Sequence, residues 1–157
     1  MQDGIVRGNN RAIIRVTPTL TAASAYASGD VLFTATEIPN AVLGNGGCSR
    51  LLSFFVLDQA KQTFDAQFYF SENNTALGTR DATANISDAD LEGLNLNGVM
   101  YMDLSAAQTA DLDTAQVSQV MGLHGGSESY EPMLIQAAAG STSVYVQAII
   151  TNGTPTF

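Results

Sequence analysis

Cys48 and His124 are the sole cysteine and histidine of this 157-residue chain, so a thiolate–imidazole nucleophile could be assembled from no other pair. Both lie in glycine-flanked turns, Gly46-Gly47-Cys48 and Gly122-Leu123-His124-Gly125-Gly126, and such loops can hold catalytic groups on a rigid frame. No local motif marks either residue. The expected reading is Cys48 as a small apolar residue opening a buried strand, with His124 as a turn residue. A transition-metal site asks for three or four soft or imidazole ligands, and two do not make one. Asp88, Asp90, Glu92 and Gly93 follow the first half of a helix–loop–helix calcium loop, but the twelfth position is Val99 where a bidentate Glu is required. Asp111 and Asp113 form an isolated D-x-D whose twelfth position is Gly122. The expected role of these acids is helix capping and surface solubility. The chain has no Walker loop, dinucleotide fingerprint or serine elbow. We therefore expect no enzymatic activity, no cofactor and no bound metal.

Composition narrows the partners. Six Lys and Arg against 15 Asp and Glu give a net charge of -9, a poor basis for binding a phosphate backbone, which needs clustered cations. Nucleic acid is not an expected partner. Nor is a membrane: no stretch approaches the ~20 apolar residues that span a bilayer, and Met1 to Asn10 has no apolar run of the kind a secretion signal carries. A lone cysteine excludes an internal disulfide, so stability must come from packing or association. Synthesis in a cytosol is expected. The charge is uneven. Residues 1–15 carry Arg7, Arg11 and Arg15 against Asp3, a local +2, whereas residues 16–157 carry three cations against fourteen acids, a local -11. A cationic head on an anionic body suggests an arm that lies on an acidic surface, whether this chain's own body, a second copy or another protein.

Hydrophobic residues make up 45% of the chain, enough for a real core, and the periodicity that arranges them is that of strands. Ala12 to Leu20 is β-branched and meets Pro18, which stops a strand or keeps it at an edge. Thr21 to Gly29 reads as a loop or linker around Tyr26. Asp30 to Glu37 alternates and ends before Pro39-Asn40. Leu51 to Leu57 (LLSFFVL) is apolar nearly throughout and is expected to be a central strand buried on both faces. Phe64, Ala66, Phe68 and Phe70 alternate with Asp65, Gln67, Tyr69 and Ser71, the period-two signature of a half-buried strand. Residues 71–80 have no periodicity and read as an exposed loop. Ser87-Asp88-Ala89-Asp90 and Ser105-Ala106-Ala107-Gln108 each carry a helix-capping pattern. Val99 to Leu104, Val117 to Leu123, Met133 to Ala138 and Ser143 to Thr151 complete the strand candidates, with Val144, Val146, Ala148 and Ile150 on one face. Many short strands with turn-rich links predict an all-β fold: an antiparallel β-sandwich or barrel with one or two short helices. Residues 1–20 form an N-terminal arm or edge strand and 21–157 the sandwich.

Three stretches, taken in order with a strand like Leu51 to Asp58 after the first, carry a family resemblance. They are Ala25 to Phe33 (AYASGDVLF), Asn85 to Leu91 (NISDADL) and Ser143 to Phe157 (SVYVQAIITNGTPTF). In that order they resemble small virion proteins of tailed bacteriophages, the capsid decoration or cement proteins, over about residues 20–157. The resemblance implies a structural protein on the outer capsid surface, bound to the major capsid protein and bridging its subunits, with no catalytic group. Because capsid sites recur around symmetry axes, it also implies a homodimer or trimer. Its capsid contact is expected in the arm: Arg7, Arg11 and Arg15 can form bidentate bonds to carboxylates, and Ile13 and Ile14 lie among them. A strand there can also pair with an exposed edge on a neighbour. The competing expectation is a carbohydrate- or receptor-binding β module of a phage tail or fibre. Its best cluster would be Tyr130 with Glu128 and Glu131.

Overall fold

A computed structural model describes residues 6–8, 11–21, 24–103, 109–121 and 132–157. The fold is all-β, built of antiparallel sheets with one short helix among the described residues. A hairpin of β1 (Val6–Gly8) and β2 (Arg11–Ile13) opens the chain. β3 (Val31–Ile38), β11 (Val144–Gly153), β6 (Phe64–Ser71) and β7 (Leu96–Met102) follow one another across a four-stranded sheet. Opposite lie β5 (Ser53–Asp58), β9 (Gln116–Met121) and β8 (Thr109–Asp111), in that order, and the pair β10 (Met133–Gln136) with β4 (Cys48–Leu51).

The period-two pattern of β6 determines what the core is made of. Phe64, Ala66, Phe68 and Phe70 are all buried, and the alternate residues of the neighbouring β11, Val144, Val146, Ala148 and Ile150, lie beside them. Phe54 of β5 closes on this layer from the opposite sheet, its ring centroid 4.8 Å from that of Phe68 and 5.7 Å from that of Phe70, both edge-on. Edge-to-face contact places the electropositive rim of one ring on the electronegative face of another. Val120 and Ile135 complete the opposing wall.

β9 and β10 lie along one line. Residues 116 to 121 pair with 58 to 53, and residues 133 to 136 pair with 51 to 48. The partner chain skips only Leu52, while residues 122–132 intervene between the two strands opposite it. β7 joins this line at a corner through Asn97, whose amide donates to the Gln136 carbonyl at 3.0 Å and accepts from its N–H at 3.2 Å. The Asn97 side chain thus stands in for a peptide unit. Beside it, a Cβ at Gly98 would collide with the Met133 sulfur, so the missing side chain is what admits Met133 across the corner.

Four expectations need correction. Leu51 to Leu57 is not one central strand: it breaks at Leu52, and β5 is an outer strand whose Phe55 and Leu57 are 60% and 68% exposed. Nonspecific apolarity cannot distinguish a strand covered twice from one whose second face is bare. Ala12 to Leu20 forms a strand only as far as Ile13, and the rest is an irregular strap that begins well before Pro18. Residues 71–80 are irregular but not simply exposed. Leu77 is buried with Val31 and Leu94 in a second small core on the outer face of the four-stranded sheet. Cys48 opens β4 as expected, yet it is exposed.

Gln147, fully buried in the middle of β11, holds that second layer. Its side-chain oxygen accepts from the Leu77 N–H at 2.9 Å, and its amide donates to the Thr75 carbonyl at 3.0 Å. Downstream, α1 (Asp88–Gly93) starts where the capping pattern placed it. Ser87 Oγ accepts from the Asp90 N–H at 3.1 Å and lies 2.7 Å from the Asp90 carboxylate. The second capping pattern, Ser105 to Gln108, lies outside the described residues. Among the described residues no helix is long and apolar enough to cross a membrane.

Candidate functional site: the N-terminal hairpin and its strap

The hairpin pairs Val6 with Ile13, Arg7 with Ala12 and Gly8 with Arg11. This register places positions 6, 8, 11 and 13 on one face and 7 and 12 on the other. Arg11 and Arg15 are exposed, Ile13 is 67% exposed and Ile14 is half-buried. The hairpin is a sheet of its own: no other described strand pairs with it. A lone two-stranded hairpin is marginal in water, so this element has both a bare edge and a bare apolar residue to offer.

What the hairpin presents is positioned by the strap that follows it. Arg80 reaches over the strap, its Nε donating to Thr21 Oγ1 at 2.9 Å and an Nη to the Thr19 carbonyl at 3.2 Å. Ser24 Oγ donates to the Asp81 carboxylate. The Thr21 N–H donates to the Tyr26 hydroxyl at 2.7 Å. Tyr26, expected as the centre of a loop or linker, is fully buried. Its N–H donates to the Pro155 carbonyl at 2.9 Å and its ring meets Phe157 edge-on. The strap is thus tied down at Thr19, Thr21, Ser24 and Tyr26, while upstream Arg15, Val16 and Thr17 line an open groove of about 320 Å³ with Thr36, Glu37 and Pro39. Sequence reading missed Arg80 and Tyr26 as positioning residues. An isolated Arg in an aperiodic stretch carries no signal of which backbone it will hold.

Arg80→Met is expected to loosen the strap without unfolding the body. Losing two charge-assisted bonds at a half-exposed site costs about 1 kcal/mol, so trypsin cleavage after Arg15 should accelerate by about fivefold with little change in melting temperature. An unchanged cleavage rate would show that Arg80 does not hold the strap.

Cys48 is at the start of β4, and His124 lies outside the described residues, as do Tyr130, Glu128 and Glu131. The Asp90 carboxylate is engaged by its helix cap. Asp111 is held below its usual carboxylate range, first by the hydrogen bond from Lys61 and then by the Asp113 N–H. The Lys61–Asp111 ion pair measures 2.7 Å. Burial and the neighbouring Tyr101 raise Tyr69 above its ordinary value. Among the described residues no three His, Cys, Asp or Glu side chains are grouped to hold a metal ion. No protein-family model matches the chain, and neither a curated protein nor a solved structure matches it.

Proposed function

We propose that this chain is a structural protein of a tailed-phage virion, which binds the outer capsid surface and stabilises it by bridging major capsid protein subunits. The observation that carries this reading is the N-terminal hairpin, which pairs with no other described strand, with Arg11 and Ile13 exposed on it and Arg15 exposed just beyond it. The likeness of Ala25 to Phe33, Asn85 to Leu91 and Ser143 to Phe157 to decoration proteins supports it from the sequence. Non-covalent bridging needs an arm that reaches a neighbour and a stiff body to carry the load. The hairpin offers guanidinium donors for carboxylates and backbone groups for an open sheet edge. Repetition over a symmetric shell turns a weak single contact into strong retention.

The test is co-sedimentation with expanded capsids that lack the protein, using the full chain and a variant without residues 1–15. Saturable pelleting of the full chain, lost on deletion, is the expected result. Pelleting by both would move the interface to the body, and pelleting by neither would overturn decoration. Tyr101, 60% exposed on β7 and paired across the ladder with Gln67, is the described residue that favours the competing glycan-binding reading. A glycan screen with Tyr101→Ala would then follow.

A further inference from the structure

The strap has the side-chain pattern of a strand without the ladder of one. From Ile14 to Leu20 exposure alternates: Ile14, Val16, Pro18 and Leu20 are half-buried, and Arg15, Thr17 and Thr19 are exposed. Leu20 packs on the main core, as Ile38 of β3 does. Yet residues 14–18 make no backbone hydrogen bond to another described residue. Beside them runs a free edge. β3 is the outermost strand of its sheet, and the segment after Arg80 closes only its first residue on the outer side. There the Asp81 N–H donates to the Val31 carbonyl and the Val31 N–H to the Ala82 carbonyl, both at 2.9 Å. From Phe33 to Ile38 no described backbone group bonds to that side.

Direction and register follow from contacts already made. Arg15, Val16 and Thr17 share their groove with Thr36, Glu37 and Pro39, at the end of β3. Thr19 and Thr21 are held by Arg80, which is bridged to Val31 at its start. The strap therefore runs antiparallel to β3. The faces agree as well. Thr36 and Ile38 are paired across the ladder with the core residues Val146 and Val144, so they point inward. Glu37, paired with Tyr145, points outward and is exposed. Setting Val16 against Thr36 matches inward with inward, sets Ile14 against Ile38, and places Arg15 against Glu37 on the outer face. A slip of one residue would reverse every match. Arg15 makes no ion pair with a described residue. Ser143 Oγ donates to one Glu37 oxygen at 2.6 Å, which leaves the other for a guanidinium.

We propose that residues 14–17 are a latent fifth strand, which closes onto the free edge of β3 in this register and latches the N-terminal hairpin to the body. What selects β3 among the open edges is that the strap already lies beside it. Closed, β2 and the strap form one strand, and the hairpin extends the four-stranded sheet in one fixed pose. Open, the hairpin hinges about the strap. Pro18 ends the ladder, because it has no N–H to donate, and Arg80 holds the residues beyond it so that each closure starts in register. A short ladder and one exposed charge pair stabilise the closed state only modestly. Both states are therefore accessible, and a partner that grips the hairpin better in one pose shifts the balance. The latch does not rest on the capsid reading.

Cysteine pairs introduced into the full chain in a Cys48→Ser background test the latch. Val16→Cys with Thr36→Cys should oxidise about tenfold faster than Thr17→Cys with Thr36→Cys. The ladder holds opposed Cα atoms at about 4.5–5.5 Å, within disulfide reach, and turns position 17 to the other face. In the first pair, Arg15→Glu should slow oxidation about two- to threefold, and adding Glu37→Arg should restore it. Hydrogen exchange then separates a ladder from a chance encounter. In the oxidised protein, the amides of residues 33–38 that face away from β11 should exchange about tenfold more slowly than in the reduced protein. Equal oxidation of the two cysteine pairs would overturn the proposal. So would a disulfide that adds no protection along β3, or a charge exchange that fails to restore the rate.

Discussion

Phe68→Ala is expected to lower the unfolding free energy by about 3–5 kcal/mol, the usual cost of truncating a fully packed aromatic side chain. The position justifies the upper half of that range. Phe68 lies at the centre of β6, with Phe54 edge-on from the opposing sheet at 4.8 Å and Phe33 from the same sheet at 6.2 Å. Removing the ring deletes two aromatic contacts as well as the buried area. The surrounding strands are fixed by ladders on both sides of β6, so collapse into the cavity is restricted. For a chain of this length, 1 kcal/mol corresponds to about 2–4 °C, so the melting temperature should fall by about 10 °C or more. Phe55→Ala is the internal control. The same chemical change on the exposed face of β5 should cost little in a monomer. Equal losses at the two positions would contradict the assignment of β6, and not β5, to the centre of the core.

Gln147→Leu should also be costly, although it makes the buried position more apolar. The substitution leaves the Leu77 N–H and the Thr75 carbonyl without their partners beneath the 72–86 segment. Each buried unsatisfied group costs about 1–3 kcal/mol, giving an expected loss of about 2–4 kcal/mol in a denaturant titration. Gln147→Glu is diagnostic of mechanism. An ionised Glu retains the acceptor for Leu77 but loses the donor to Thr75, and its burial penalises the charge. Its destabilisation should therefore grow as pH rises through the titration of that carboxyl. Hydrogen exchange at Leu77 separates this account from simple overpacking: its amide should lose protection in Gln147→Leu, and retention there would sink the explanation.

These two positions also show what the chain discloses before folding. β6 was legible because alternation at Phe64, Ala66, Phe68 and Phe70 reflects a sheet with one dry and one wetter face, and the same holds for Val144 to Ile150 in β11. The cap at Ser87 was legible because its hydroxyl and the Asp90 carboxylate act within one turn. Gln147 was not, since its partners lie about 70 residues away and nothing local distinguishes it from a surface glutamine. Leu51 to Leu57 misled for a different reason. Hydropathy records what a residue prefers, whereas the exposure of Phe55 and Leu57 records which neighbour the sheet does not supply. The form of the arm was only partly legible: the strand expected over Ala12 to Leu20 ends at Ile13, and Arg11 and Ile13 are exposed.

The collinear arrangement of β9 and β10 has a practical meaning for engineering. Met121 and Met133 lie opposite Ser53 and Leu51, so the sheet specifies where the intervening segment must leave and return but not how long it must be. Closure entropy rises only logarithmically with length, about 0.6 kcal/mol for each doubling. A foreign peptide inserted between those two anchors would therefore tax the scaffold lightly, which makes this junction a natural place to graft an epitope or an affinity tag.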